Sequence, residues 1–389
     1  MKVLNLHFVV ILMLGFWFLS SKDSYAQSRM TLAQLNTQRT FIEPGHQPSF
    51  TAMPYWTMET SGVTARLRGI SAVDDRVAWA SGSGNTVLRT TDGGQTWTKL
   101  TVTNSQKDPL DFRDIDAIDA RTAYVLSIGN GPASRIYKTS DGGQTWTLQF
   151  KGEDPKEFWD AMSFWDAVNG IVLGDSVNGQ FCIMTTSNGG RTWTRVPAAV
   201  LPPALENEGA FAASGTNIAV WGKSHAWLAT GAGAKARVLR TADRGRTWKV
   251  SETPLMAGPS SGIFSIAFRD AKHGVIAGGD YTKEKEAVNN LAMTSDGGVT
   301  WTLVKGLSGF RSAVAYIPVM SPGQTPALVA LGPSGTDFSI DDGHTWVQLE
   351  GPGFDTLSFA RHTARGLRQA SPVGWAAGAK GSIARFATL

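Results

Sequence analysis

The sequence predicts an all-β protein, a single seven-bladed β-propeller. Three observations carry that prediction. An eight-residue turn motif ending in Thr-Trp occurs six times, its tryptophans 49, 47, 55, 53 and 45 residues apart, which is the length of a four-stranded blade. Short apolar stretches with strand-like alternation precede each copy. The last such unit stops one strand short, and the missing strand has a counterpart near the other end of the sequence.

From the N-terminus, residues 8–19 form a twelve-residue apolar run broken only by Gly15, after Lys2 and before Ser24-Tyr25-Ala26. A short apolar run followed by small-x-small is the pattern of a secretory signal, and twelve residues fall short of the roughly 20 needed to cross a bilayer. The expectation is an exported protein, periplasmic or secreted, cleaved near Ala26, with no membrane insertion afterwards. Residues 27–54 carry Pro44, Pro48 and Pro54 and read as an extended lead-in, and residues 55–389 as the propeller. No cysteine directly follows the apolar run, so a lipid-anchored form is not expected.

The turn motifs centre on Asp92, Asp141, Asn188, Asp243, Asp296 and Asp341, and close on Trp97, Trp146, Trp193, Trp248, Trp301 and Trp346. Asp accepts backbone N–H bonds inside a tight turn and Gly supplies positive φ, so each motif reads as a hairpin turn between the third and fourth strands of a blade. The indole then opens the outer strand and packs on a neighbouring blade. A metal or substrate site in each turn is not expected, because Asn188 replaces one Asp and no second ligand cluster accompanies the motif. The repeats span 67–100, 112–150, 158–196, 210–250, 262–304 and 310–349. A seventh unit, 354–386, has three strands, and Tyr55-Trp56-Thr57-Met58 matches the absent Trp-Thr strand. Mixing both termini in one blade ties the ring and removes free edges. Six or eight blades would leave either 354–386 or Trp56 unexplained.

Composition sets limits on function. With 17% charged and 42% hydrophobic residues the protein is not wholly disordered. The single cysteine, Cys182, rules out a disulfide framework and a cysteine-built zinc site, and it reads as an inert core thiol. None of the six histidines has metalloprotease spacing, so no metal and no cofactor are expected. A net charge of +4 without Lys/Arg runs gives no support to nucleic-acid binding.

The Ser/Thr-x-Asp-x-Gly-x-Thr-Trp motif is the Asp-box, or BNR, pattern. Together with Leu67-Arg68-Gly69-Ile70, Val77-Ala78-Trp79-Ala80-Ser81-Gly82 and Val87-Leu88-Arg89-Thr90 before the first box, it resembles the photosystem II stability/assembly factor-like propellers. That resemblance implies seven blades, an exported or lumenal location, and a protein-binding role without catalysis. Asp-box propellers also include sialidases and xyloglucan-type glycoside hydrolases. The sialidase Phe/Tyr-Arg-Ile-Pro motif is absent, since neither Leu67-Arg68-Gly69-Ile70 nor Phe112-Arg113-Asp114-Ile115 is followed by Pro.

Strand alternation puts the d–a and b–c loops on one face and the a–b loops and Asp-box turns on the other. Ligand sites on propellers gather where strand starts converge at the channel mouth. Those starts supply Arg68, Arg113 with Asp114, Trp159 with Asp160, Glu206 with Glu208, Ser261, Arg311 and Asp355. Long loops at 197–209 and 278–290, the latter holding Tyr281, lie on the same face. The expected site is an open rim of Arg and carboxylates that binds a protein or peptide, the protein acting as a monomer. A glycan is the alternative ligand. In that case Asp160, Glu208 and Asp355 would serve as hydrolytic carboxylates, or Arg68, Arg113 and Arg311 would act with Tyr281. A solvated, self-paired rim with no ligand is the third reading.

Overall fold

The computed structural model describes residues 54–102, 109–319, 323–360 and 372–388. The expected signal peptide and nearly all of the lead-in lie outside the described residues. Seven four-stranded antiparallel sheets make up the rest. Their inner strands are Leu67–Ala72, Asp111–Ala117, Trp159–Phe164, Ile218–Trp221, Ser261–Phe268, Ala313–Ile317 and Thr356–Phe359. Each packs beside the next and the last beside the first, so the sheets close into a ring. In the seventh blade Pro54–Glu59 pairs antiparallel with Ile383–Thr388 as the outer strand, setting Trp56 opposite Phe386. No helix among the described residues is long and apolar enough to span a membrane.

Side chains stitch neighbouring inner strands together. Ser71 Oγ accepts the Ala117 amide, Asp114 Oδ2 that of Met162, Asp116 Oδ2 that of Phe164, Ser265 Oγ that of Val314, and Ser358 Oγ that of Ala72. Further out, aromatic residues of the second strands reach across the seams. The Trp79 indole donates to Asp119 O, the Tyr124 hydroxyl to Gly189 O, and the Trp227 indole to Gly297 O.

The Asp-box turns share one geometry. In the first, the Thr90 hydroxyl accepts the Gly94 amide at 2.9 Å and donates to Asp92 Oδ1 at 2.8 Å. Asp92 in turn accepts the Thr96 amide at 3.0 Å and the Thr96 hydroxyl at 2.6 Å. The Thr96 hydroxyl and amide hold the Asp92 carboxyl down at about 2. Asn188 reproduces the acceptor at 3.0 Å and, lacking the second oxygen, donates its amide to the Thr192 hydroxyl at 2.8 Å.

Blade four departs from the expected boundaries. Repeat spacing puts its start at residue 210, but the inner strand begins only at Ile218. Residues 209–217 leave the sheet and cross the ring instead.

Candidate functional site

The segment 209–217 is rich in small residues, Gly-Ala-Phe-Ala-Ala-Ser-Gly-Thr-Asn. Small side chains let its backbone pass close to the surrounding inner strands. It touches every other blade. Its carbonyls accept from Arg68 at Ala213, from Arg113 at Ala212, from Thr356 at Ser214 and from the Ile266 amide at Thr216. The Ala210 amide donates to Asp175, and the Ser214 hydroxyl to Ser312 O. The channel mouth on the d–a/b–c face is therefore closed by the protein's own backbone. An open ring of strand starts was expected there.

Most of the expected site residues are buried. Arg311 is fully buried, its Nε donating to Asp337 at 2.7 Å and its Nη1 to Phe310 O at 2.8 Å. Glu208 is buried beneath blade four, where Arg237 forks onto both its oxygens and the Thr230 hydroxyl donates to it at 2.6 Å. Asp355 is buried and takes Arg66 through two bonds of 2.7 Å. Asp114 is buried as a strand-stitching acceptor, and Trp159 is buried beneath the Arg195 guanidinium. Asp160 is buried below the plug. Neither of its oxygens makes a hydrogen bond of normal geometry, and the Ala212 and Asp175 amides only approach it. Burial pushes its carboxyl well above the usual range, helped by the neighbouring Asp175 carboxyl. These six are corrections to the expected open rim: five polar groups and one indole lie inside, because desolvated charge must find a partner or neutralise.

Arg68 and Arg113 are half-buried, and Tyr281 is exposed. Arg113 donates to Asp111 at 2.8 Å as well as to the plug. Arg68 forms no ion pair among the described residues, and its bond to Ala213 O is a long 3.3 Å. Burial and the nearby Arg113 guanidinium bring its pKa down to about 10, with Asp355 acting against them. Tyr281 is 49% exposed and stands edge-on to Phe211 and Phe264, which stack at 4.0 Å. The mouth thus presents a crowded guanidinium pair and an aromatic cluster topped by a half-exposed phenol. Sequence reading missed Arg66, Arg237 and Asp337, the partners that take Asp355, Glu208 and Arg311 out of play. The signal for Arg66 was its place one residue ahead of the first inner strand. The other two sit at third-strand positions, where charge reads as solvated face. Among the described residues no cluster of His, Cys, Asp and Glu is placed to hold a metal ion.

Residues 54–155, the closing strand and the first two blades, match the family described as Photosynthesis system II assembly factor YCF48. The protein is an Asp-box propeller similar to the photosystem II assembly factors. Solved structures agree on the fold of this assembly-factor-like propeller. A YCF48 bound to D1 peptide superposes with a TM-score of 0.57 at 19% identity, covering 88% of this protein and all of that one. YCF48 from Cyanidioschyzon merolae gives 0.56 at 18% identity over 85% and 98%. An ancestral GH74 enzyme gives 0.55 at 14% identity, covering 85% of this protein and 46% of its own length. Comparison with curated proteins finds no sequence match.

Proposed function

We propose that this protein is an exported, non-enzymatic propeller that binds a protein or peptide partner through its d–a/b–c face, in the manner of an assembly factor. The observation that carries the proposal is the Arg68–Arg113 pair. Two guanidinium groups reach adjacent plug carbonyls, Ala213 O and Ala212 O, and one of them has no ion pair among the described residues. Such a pair stores electrostatic free energy that an arriving carboxylate releases, and Arg offers that carboxylate two donors in a fixed fork. On the same face the half-exposed Tyr281, seated edge-on against Phe211 and Phe264, supplies an aromatic anchor of the kind at which binding hot spots form. The partner segment is therefore an acidic one, presenting an Asp or Glu side group or a free C-terminal carboxylate. A YCF48 holds a D1 peptide, which supports peptide capture by a ring of this kind. Export rests on the apolar run at 8–19 and the small-x-small sequence ending at Ala26.

A hydrolytic role draws no support from the site. Its candidate carboxylates Asp160, Glu208 and Asp355 are all buried, two of them neutralised by arginine, whereas glycoside hydrolysis needs two carboxyls flanking an open cleft.

The test is affinity capture from the exported fraction, comparing the native protein with a folded R68E/R113E variant. Loss of the captured partner from the variant, and weaker capture at high salt, are expected. Identical capture by both would overturn the assignment of the mouth. Finding the protein in the cytoplasmic fraction would overturn export.

A further inference from the structure

Blade three has an incomplete outer edge. Its third strand, Gln180–Thr186, is seven residues long, and its outer strand, Thr194–Arg195, only two. The outer ladder joins Met184 to Arg195 and Thr185 to Thr194, and the Val196 amide donates to Ile183 O at 2.9 Å. Pro197 then carries the backbone away into the short turn Ala198–Val200, since proline cannot extend a ladder. Residues 180–182 keep partners on the inner side, Val177, Ser176 and Gly174, and among the described residues have no ladder partner on the outer side. Blades two and four are complete at the same place, with Arg135 paired to Lys151 and Arg237 to Glu252.

A cleft of about 510 Å³ occupies the missing strand's position, with Val177, Phe181, Val196 and Pro197 as apolar walls. Glu157 also lines it and is 5% exposed. One of its oxygens takes Arg195, while the other, Oε2, is buried without a hydrogen bond. Buried acceptors in native proteins are ordinarily satisfied, so this one points to a missing donor. The outer ladder ends at Ile183, so the outward-facing backbone of Phe181 meets no outer strand among the described residues, while Gly179 O beyond it takes the Ala204 amide at 3.0 Å; the gap at Phe181 likewise points to a missing strand.

We propose that the outer edge of blade three is a strand-addition site. An extended segment of a peptide partner continues the line of Thr194–Arg195, antiparallel to residues 180–182. The two sides of the edge specify its side chains. Phe181 belongs to the packing between blades three and four, and Cys182 to that between blades two and three. Because side chains alternate along a strand, one set lies on Phe181 and Val196 and is apolar. The other set faces Glu157 and carries a donor, a lysine ammonium being the fitting group. The inference rests on the reading that the protein binds peptides, but it concerns a place apart from Arg68 and Arg113.

The probe is a capped hexapeptide alternating valine and lysine, with a control methylated on alternate backbone nitrogens. Hydrogen exchange of the full-length protein is followed across residues 178–184, and affinity is measured by calorimetry. The unmodified peptide is expected to slow exchange there about tenfold, and methylation to weaken binding about tenfold, through lost main-chain hydrogen bonds. E157Q should weaken the lysine peptide and leave an alternating valine–serine peptide unchanged. R68E/R113E should retain the protection, which separates this site from the mouth: loss of cellular partners in that variant with edge protection intact upholds both assignments. Protection elsewhere, protection abolished by R68E/R113E, or equal binding of the methylated peptide would overturn the strand-addition site.

Discussion

Asp337 Oδ2 accepts the Arg311 Nε–H at 2.7 Å, and neither side chain has any exposed surface. Ser308 donates to the same carboxylate through its amide and hydroxyl, and Arg311 makes three further bonds, to Phe310 O, Ser334 and Ser308. This pair anchors the start of blade six from within, at a position that sequence reasoning assigned to ligand contact. Removing one member leaves the other charged and dry, which costs about 3–5 kcal/mol, whereas replacing both with apolar groups of similar volume is near neutral. Urea unfolding of R311M and of R311M/D337L is expected to show the single variant strongly destabilised and the double variant largely recovered. A single variant as stable as the native protein would show that the pair anchors nothing.

Glu59 fastens the ring where the two ends of the propeller meet. It lies on the closing strand and accepts the Trp97 indole of blade one at 2.9 Å and the Trp375 indole of blade seven at 3.2 Å. Burial pushes its carboxyl up to about 7, against the opposing pull of the Trp97 bond and Arg385. A carboxyl whose folded pKa lies above its unfolded value binds its proton more tightly when folded. Stability therefore rises as pH falls from about 7 toward 4.5 and is reduced above that window. E59Q keeps an acceptor for the indoles without the buried charge. It should be more stable than the native protein at pH 8, by on the order of 1 kcal/mol after allowance for partial solvent screening, and nearly equal to it at pH 4.5. Thermal melts at the two pH values measure this, and an equal shift at both would exclude a titrating Glu59.

The repeat was legible because a hairpin turn constrains sequence tightly. Each box needs an acceptor, a positive-φ residue and a following Thr-Trp, so the turns, the blade count and the closing strand could be read directly. Even so, Arg244 and Asp342 take left-handed φ of +63° and +60° where most boxes use Gly. The mouth was illegible for the opposite reason. Strand starts place Asp160, Glu208 and Arg311 near the axis, but whether they meet solvent depends on what lies above them. For Asp160 that is set by 209–217, whose small residues look like the edge of an ordinary inner strand, and for Glu208 and Arg311 by Arg237 and Asp337. The partners Arg237 and Asp337 are distant in sequence from what they neutralise, and no local pattern announces a long-range ion pair.

Asp160 gives a second pH-dependent signature, tied to the plug. Both its oxygens are buried without a normal hydrogen bond, and burial, then the Asp175 carboxyl, hold it well above the usual carboxylate range. The direction matches that of Glu59: the neutral form is the one the fold accommodates, so stability is gained as pH falls through the raised folded value and lost as pH rises. D160N fixes the side chain in a neutral form. Its urea midpoint is expected to fall less between pH 5 and pH 9 than that of the native protein. Parallel curves for the two proteins would show that Asp160 is already compensated.

Gly215 is where the plug turns back toward blade four, and two independent constraints require glycine there. Its φ is +71°, a region that costs other residues about 1 kcal/mol or more. A Cβ at this position would also lie 2.2 Å from Asp114 Oδ1, the carboxylate whose other oxygen holds the Met162 amide at 2.6 Å. G215A therefore forces either the plug to lift or Asp114 to release blade three, and only the first also relieves the strained φ. The variant is expected to lose about 1–3 kcal/mol of stability. Amides of residues 210–216 should exchange faster, while those of the Asp-box turns stay unchanged. It should also free the Arg68 and Arg113 guanidinium groups from Ala213 O and Ala212 O, so acidic peptides should bind the mouth more tightly in G215A than in the native protein. Weaker binding of acidic peptides by a folded G215A would mean that the plug builds the site, with its carbonyls orienting the two arginines.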